Sequence, residues 1–361
     1  MKKTLPRFQT KTFAMIVAVI GILAVACTGA TPTPLPTTAP TATAVPIPTA
    51  TPAVIEVAGS GIQGGDPEFI PAAMIWQGYW LSRDQFGPFV MASGMGIPFM
   101  PPMEMMQGAM QMVAQNPNDQ VMVPQNMMPL QAVYASGSST LLNDPRQFDP
   151  LDFEGLRLDP STFDETVGVR GQAETMLKES QWAHNFANAH FGTPADDFGA
   201  QQRFVGVMVA MLSQMQGQYA MQNLLNMEDG LYRDSDGGLD YTGNWVMLHA
   251  LSDVALITAS GSRYANPDSH DMFEGAASGL FQALQERDPE SSTEAAAAVR
   301  ALIYRSSTAE DSVIAGDALA LAGDIADSHL VGITSEDVVG QASAIVGLTV
   351  IADATGDNKY L

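Results

Sequence analysis

The 361-residue chain contains few positive charges. It has 16 lysines and arginines against 39 aspartates and glutamates, and four of the positive residues precede residue 27, where no acidic residue occurs. The chain after that point therefore carries 12 positive and 39 negative side chains, a net charge of −27. Such a surface repels phosphate backbones, so we expect no nucleic-acid partner. Cationic ligands and divalent metals remain compatible with it.

The chain also lacks a second cysteine and the common catalytic signatures. With Cys27 alone it can form no internal disulfide, so its stability must come from a packed core. The lone thiol at the N-terminal end excludes thiol catalysis in the body of the protein. No Gly-X-Ser-X-Gly elbow, P-loop or dinucleotide fingerprint occurs in the sequence.

The N-terminal segment has the form of an export signal. Lys2, Lys3, Arg7 and Lys11 precede 15 apolar residues, and small residues lead into Cys27. The apolar run is short for a membrane span, which needs roughly 20 residues. The segment resembles a bacterial lipoprotein signal peptide, which implies that Cys27 is lipidated and anchors the chain on the extracytoplasmic side of a membrane. A cleaved signal, giving a secreted protein, or an uncleaved anchor are the alternatives.

A tether follows the cysteine. Between Thr28 and Pro52 lie seven prolines, nine threonines and no charged residue. Proline favours extended polyproline II, so residues 28–55 are expected to form a disordered, semi-rigid linker. Its Thr/Pro tract at 28–52 would reach roughly 75 Å at about 3.1 Å per residue.

Residues 56–170 are predicted to be an irregular, methionine-rich portion, because Gly, Pro, Asn and Asp recur too often for long helices or strands. We expect short helices at Pro71–Arg83 and Pro102–Gln115, and strands near 120–123 and 130–135. Eight methionines fall within positions 91–112. Thioether sulfur suits Cu(I), so a copper-handling lipoprotein is one alternative. Packing, or a pliable partner surface, is the other.

From 171 to 361 the pattern changes to long, alanine-rich helices, one of them expected at Asp197–Asn226. A recurring phrase closes an apolar helix on glycine and then an aromatic residue, with glycines at 217, 261 and 356. We expect these glycines to be left-handed helix C-caps. Spacings of 44 and then 95 residues, about twice 47, indicate a stacked array of helical hairpins.

The segment Ala344–Leu361 resembles the hairpin repeats of the six-hairpin (α/α) toroid superfamily, which includes glycosidases and sugar epimerases. The Asp234–Asp240 loop, DSDGGLD, is similar to a loop that precedes toroid helices. The resemblance covers about 190 residues and shows four hairpins where a closed ring has six. It implies a mainly α fold, an α/α hairpin array that is a partial toroid or an open array. It carries over no catalytic residues.

Candidate sites come from carboxylates and aromatic residues. Asp234, Asp236 and Asp240 in a glycine-rich turn could converge on Ca²⁺, although they do not match an EF-hand and a solvated turn is the alternative. Asp236, Asp240 and Asp253 are the candidates for acid–base work if the protein is a glycosidase. His249 lies four residues before Asp253, so the two side chains could share a hydrogen bond, and a core histidine with its polar atoms satisfied is the alternative. The candidate ligand-stacking residues are Trp76, Trp80 and Trp245.

Taken together, the sequence predicts a lipid-anchored, extracytoplasmic binding or display protein. Its ligand is expected to be a glycan, peptide, protein or small solute, held in the concave face of the helical array. A toroid-type carbohydrate-active enzyme, a glycoside hydrolase or sugar epimerase, is the catalytic alternative, and it requires two carboxylates facing one cleft.

Overall fold

The computed structural model describes residues 94–114, 129–137, 158–187, 200–333 and 338–360. All of them belong to the second of the two units into which the chain divides, Gly64–Leu361. The signal segment, the linker, the expected helix Pro71–Arg83 and the expected strand at 120–123 lie outside these residues. The described part is mainly helical, as the sequence predicts.

The methionine-rich portion contributes short elements. They are β1 (Gly96–Pro98), α1 (Met103–Val113), β2 (Leu130–Val133), β3 (Ser136–Gly137) and β4 (Phe163–Asp164). β1 pairs antiparallel with β2, and β3 pairs antiparallel with β4. The predicted helix at 102–115 and the predicted strand near 130–135 are therefore confirmed.

Seven longer helices follow in the described residues. Their bounds are α2 (Val169–Ala187), α3 (Ala200–Asn223), α4 (Tyr241–Thr258), α5 (Pro267–Leu284), α6 (Ser292–Thr308), α7 (Ser312–Ile325) and α8 (Val338–Thr355). A single π-helical turn, Ala326–Leu330, extends α7, and a short 3₁₀ turn, Asn358–Tyr360, follows α8.

These helices alternate between two layers. α2, α4, α6 and α8 pack side by side in that order and form the inner layer. α3, α5 and α7 each pack mainly on the inner helix that precedes them in the chain and form the outer layer. Successive helices are thus antiparallel hairpins, and the stacking buries a face that no single hairpin could bury.

Buried polar pairs link the two layers. Arg305 of α6 is fully buried and donates two hydrogen bonds to the carboxylate of Glu274 on α5, at 2.7 and 2.5 Å. Gln216 of α3 donates to Glu179 of α2 at 3.1 Å, and burial raises the pKa of Glu179 well above its usual value. Removing one partner of the Arg305–Glu274 ion pair would leave a buried charge uncompensated and destabilise the fold, so this pair helps hold α6 against α5.

Side-chain caps set where the helices start. Asp240 accepts the backbone N–H of Gly243 at 2.9 Å and begins α4. Asn266 precedes Pro267, the first residue of α5. Ser291 caps α6 and Asp311 caps α7 through backbone N–H groups of the first turn. Each such cap contributes about 1 kcal/mol.

The predicted left-handed conformation is present at two of the three glycines, with φ of +88° at Gly261 and +69° at Gly356. Gly356 directly follows the end of α8, but Gly261 lies in the turn beyond Ala259, the C-cap of α4, so it is not the predicted cap. Gly217 does not end a helix, because α3 continues to Asn223. A Cβ atom at Gly217 would lie 2.4 Å from a ring carbon of Phe273, so this glycine permits α5 to approach α3 closely.

One helix of the described part, α8, is long and apolar enough to cross a membrane by length and composition alone. In this structure it packs against α6, and a Cβ atom at Gly347 would lie 2.8 Å from Leu330 and 3.2 Å from the Cα of Ala296. The helix therefore forms part of the array.

We predict that Gly217→Ala destabilises the protein by about 1–3 kcal/mol, because the added methyl group must displace the buried ring of Phe273. Gly279→Ala is the matched control. Gly279 lies inside α5 and is exposed, and a Cβ atom added there would meet no atom within 4 Å.

Urea unfolding of both variants measures the difference. Gly279→Ala should be neutral or stabilising by up to about 1 kcal/mol, because alanine is the better helix former. Equal stability of the two variants would contradict the close packing of α3 on α5.

Candidate functional site on the concave face

The inner layer encloses a cavity of about 400 Å³. All four inner helices line it, so the layer must curve and this face is concave. Its wall includes Arg170 and Glu174 of α2, Val246 of α4, Arg300 of α6, and Val338 and Val346 of α8.

A second cavity of about 280 Å³ shares Glu174, Val246 and Arg300 with the first. It adds Lys178 and His249. The two cavities therefore adjoin, and we refer to them together as the groove. Its lining residues fall mostly in the first halves of α2, α4, α6 and α8, so the four inner helices run in the same direction.

A buried polar cluster lies one turn further along the same helices. The carboxylate of Asp253 on α4 is 1% exposed. It accepts hydrogen bonds from the hydroxyl groups of Ser180 on α2 and Tyr304 on α6. His184 Nε2 of α2 lies 3.2 Å from Asp253 Oδ1. Three inner helices thus meet at one carboxylate.

The environment keeps Asp253 ionised. Burial tends to raise the pKa of Asp253, but hydrogen bonds from His184, Ser180 and Tyr304 and the charge interaction with His184 outweigh it and hold the pKa below its usual value. Burial, together with the adjacent Asp253 charge, raises the pKa of Tyr304, which therefore remains a donor. Serine and histidine both face the aspartate, so they do not form a Ser–His–Asp relay.

His249 lies between this cluster and the groove. Its ring packs on Tyr304 with centroids 4.3 Å apart, and it lines the second cavity. The side chain is buried, 9% exposed, and its Nε2 atom has no hydrogen-bond partner among the described residues. Burial lowers the pKa of His249 to about 4, so the ring is neutral at pH 7. The expected hydrogen bond to Asp253 is absent, because other helices supply the partners of Asp253.

The acidic loop lies outside the groove, and its carboxylates accept hydrogen bonds from backbone N–H groups of the loop and of α2. Asp234 accepts the backbone N–H of Val169 at 2.7 Å, and Asp236 accepts that of Gly238 at 3.0 Å. Asp240 caps α4. Burial and the charges of Asp236 and Asp240 raise the pKa of Asp234, opposed by its hydrogen bond to Val169. None of the three carboxylates lines the groove.

The described residues contain no group of three or more His, Cys, Asp or Glu side chains arranged to hold a metal ion. Asp234, Asp236 and Asp240 are thus near one another without forming such a group. Asp253 is separate from them, inside the polar cluster. The geometry brings none of the predicted acid–base carboxylates together across a cleft.

The aromatic and sulfur-containing candidates do not line the groove where the structure describes them. Cys27, Trp76 and Trp80 lie outside the described residues. Trp245 is fully buried in the main core, where a ligand in the groove would not reach it. Met106 and Met110 of α1 pack against a smaller core cluster, while the other methionines of α1 whose side chains are described are exposed.

The sequence did not predict the charged residues that line the groove or the hydroxyl groups of the cluster beside it. Lys178 and Arg300 were not singled out, nor were Ser180 and Tyr304. A usable signal existed: positive residues are so rare here that two on one face of a helical array are unusual. Only the pairing of the helices shows that they share a face.

No protein-family model matches the chain, and comparisons with curated proteins and with solved structures likewise found no match.

We predict a pH dependence that reports the burial of His249. In the unfolded chain its pKa is about 6.5, and in the fold it is about 4, so the stability that depends on the neutral ring is present above pH 6.5 and is lost as the pH falls towards 4. Between pH 7 and pH 5 this amounts to about 2 kcal/mol.

Urea unfolding at the two pH values tests this. The wild-type protein should lose about 2 kcal/mol more than His249→Gln between pH 7 and pH 5. An equal loss in the wild type and His249→Gln would show that His249 is not buried as a neutral ring.

Proposed function

We propose that this protein is an extracytoplasmic, lipid-anchored binding protein whose groove holds a glycan, a peptide or a small solute. The alternation of inner and outer helices supports a partial (α/α) toroid, with the ligand on the side of the inner helices. The observation that carries the proposal is the groove itself, formed by adjoining cavities of about 400 and 280 Å³ on the concave face. Cavities of this size are typical of small-molecule sites.

The lining supports binding of an amphipathic ligand. Val246, Val338 and Val346 offer apolar surface on α4 and α8. Arg170, Glu174 and Arg300 offer charged groups on α2 and α6. An apolar wall with a few convergent polar groups is the usual composition of a ligand site.

Hydrolysis of a glycan has less support from the same geometry. A glycosidase needs two carboxylates on opposite sides of the scissile bond. Among the described residues the lining of the two cavities contains one carboxylate, Glu174, and it accepts a hydrogen bond from Arg170 at 2.9 Å. Asp253 is committed to three donors beneath the groove.

The anchor rests on the N-terminal sequence. A positive segment, 15 apolar residues and Cys27 are followed by a charge-free Thr/Pro tract, a pattern that would hold the helical array away from the membrane.

We expect Ala297→Trp to abolish ligand binding, because Ala297 lines both cavities and an indole would fill the space between them. Thermal shifts with a library of mono- and oligosaccharides, short peptides and organic acids provide the measurement. The control is Ala320→Trp, at an exposed position of α7.

Compounds that stabilise the wild type and Ala320→Trp should fail to stabilise Ala297→Trp. Ligands that stabilise all three proteins equally would place the binding site away from the groove and overturn the proposal.

For the anchor, we expect the wild-type chain to incorporate a palmitate analogue when it is expressed in bacteria, and Cys27→Ser to incorporate none. Thr28→Ser, which changes the adjacent residue, should be labelled like the wild type. Labelling of Cys27→Ser, or an unlabelled wild type, would contradict lipidation at this thiol.

A further inference from the structure

The charge of the groove is opposite to that of the protein. After residue 27 the chain has 12 positive side chains against 39 negative ones. Three of those 12, Arg170, Lys178 and Arg300, line the groove, where the described lining includes one carboxylate, Glu174. The lining of this groove is thus net positive although the protein is acidic.

Two of these cations have no acidic partner. Arg170 pairs with Glu174 at 2.9 Å, but neither Lys178 nor Arg300 forms an ion pair with any carboxylate in the part of the chain that the structure describes. Lys178 donates a hydrogen bond to Gln181 at 3.1 Å. Both cations line the second cavity, Lys178 from α2 and Arg300 from α6, and His249 of α4 lines it with them. Two like charges near each other favour an anion between them.

His249 lines the same cavity and carries an unsatisfied, buried polar atom. Its Nε2 atom is buried, yet it has no hydrogen-bond partner among the described residues. Leaving a buried polar atom unpaired is unfavourable, so a ligand that supplies the missing partner binds more tightly. The ring is neutral at pH 7, because burial lowers its pKa. A neutral imidazole suits a hydroxyl group, which can either donate or accept.

The surroundings select the type of anion. The planar guanidinium of Arg300 matches the two oxygens of a carboxylate. A phosphate carries nearly two negative charges at pH 7, and both Glu174 and the negative field of the whole protein oppose the second charge. A carboxylate carries a single negative charge, so it is attracted by both cations and is repelled less than a phosphate by Glu174 and by the negative field of the protein.

The geometry points to a small hydroxycarboxylate as the ligand of the groove, with its carboxylate held by Arg300 and Lys178 and a hydroxyl group hydrogen-bonded to His249 Nε2. This inference rests on the proposed binding function and names its ligand class.

Matched probes test the inference. Glycolate, lactate and gluconate are titrated calorimetrically into the protein beside their neutral counterparts ethylene glycol, propane-1,2-diol and glucitol, and beside glucose 6-phosphate. At least one hydroxycarboxylate should bind more tightly than both its neutral counterpart and the phosphate. Arg300→Gln should weaken that binding by about 10- to 100-fold, as expected for loss of a charged hydrogen bond. Lys178→Gln should weaken it less, because a lysine offers a single point charge.

Arg263→Gln is the control, since Arg263 is exposed in the turn between α4 and α5 and does not line the groove. The inference is overturned if no hydroxycarboxylate binds, if the neutral or phosphate probes bind as tightly, or if Arg300→Gln and Arg263→Gln behave alike. Neutral ligands that Ala297→Trp excludes would overturn the ligand class and leave the binding function standing. Ligands that Ala297→Trp does not exclude would overturn both.

Discussion

The carboxylate of Asp253 is the contact on which the arrangement of the inner helices depends. Moving an ionised carboxylate into a protein interior is costly unless hydrogen bonds and opposite charge replace the lost water. Here the replacements come from α2, through Ser180 and His184, and from α6, through Tyr304. Because the donors belong to different helices, satisfying Asp253 fixes how far each helix slides along its neighbours. The cluster therefore sets the register of α2, α4 and α6.

The groove inherits that register. His249 and Arg300 each lie four residues, about one helical turn, before a member of the cluster, Asp253 and Tyr304 respectively. Side chains four residues apart share a helix face, so a register that joins Asp253 to Tyr304 also brings His249 and Arg300 to one cavity. Lys178 precedes Ser180 by two residues and reaches the same cavity from α2. The buried cluster thus acts as the support for the polar groups that face a ligand.

Local sequence signals predicted much of the helical framework, and their failures have physical reasons. Gly261, in the turn after α4, was predicted to be left-handed, a conformation that depends only on local geometry, and it adopts that conformation. Gly217 carries the same local phrase, but the ring of Phe273 from α5 occupies the space where a side chain would lie, so that glycine serves packing within a continuous helix. Likewise, the spacing of His249 four residues before Asp253 left open a hydrogen bond between them, beside the alternative of a core histidine with other partners. Ser180 of α2 and Tyr304 of α6 donate to Asp253 instead, because a buried carboxylate without hydrogen bonds would destabilise the fold.

By itself, the sequence determined the acidic charge of the body and its mainly helical class, because these depend on composition and on residues close together in the chain. Export and lipidation at the N-terminal segment remain predictions from the same kind of local signal. Tertiary structure alone decided the candidate site. Arg170 and Val346, on opposite walls of the groove, are separated by 176 positions in the chain, and no local pattern relates them. The acidic loop attracted attention in the sequence because its carboxylates are adjacent, yet its backbone hydrogen bonds make it a helix cap. The cations of the groove are scattered along the chain and become neighbours only when the hairpins stack.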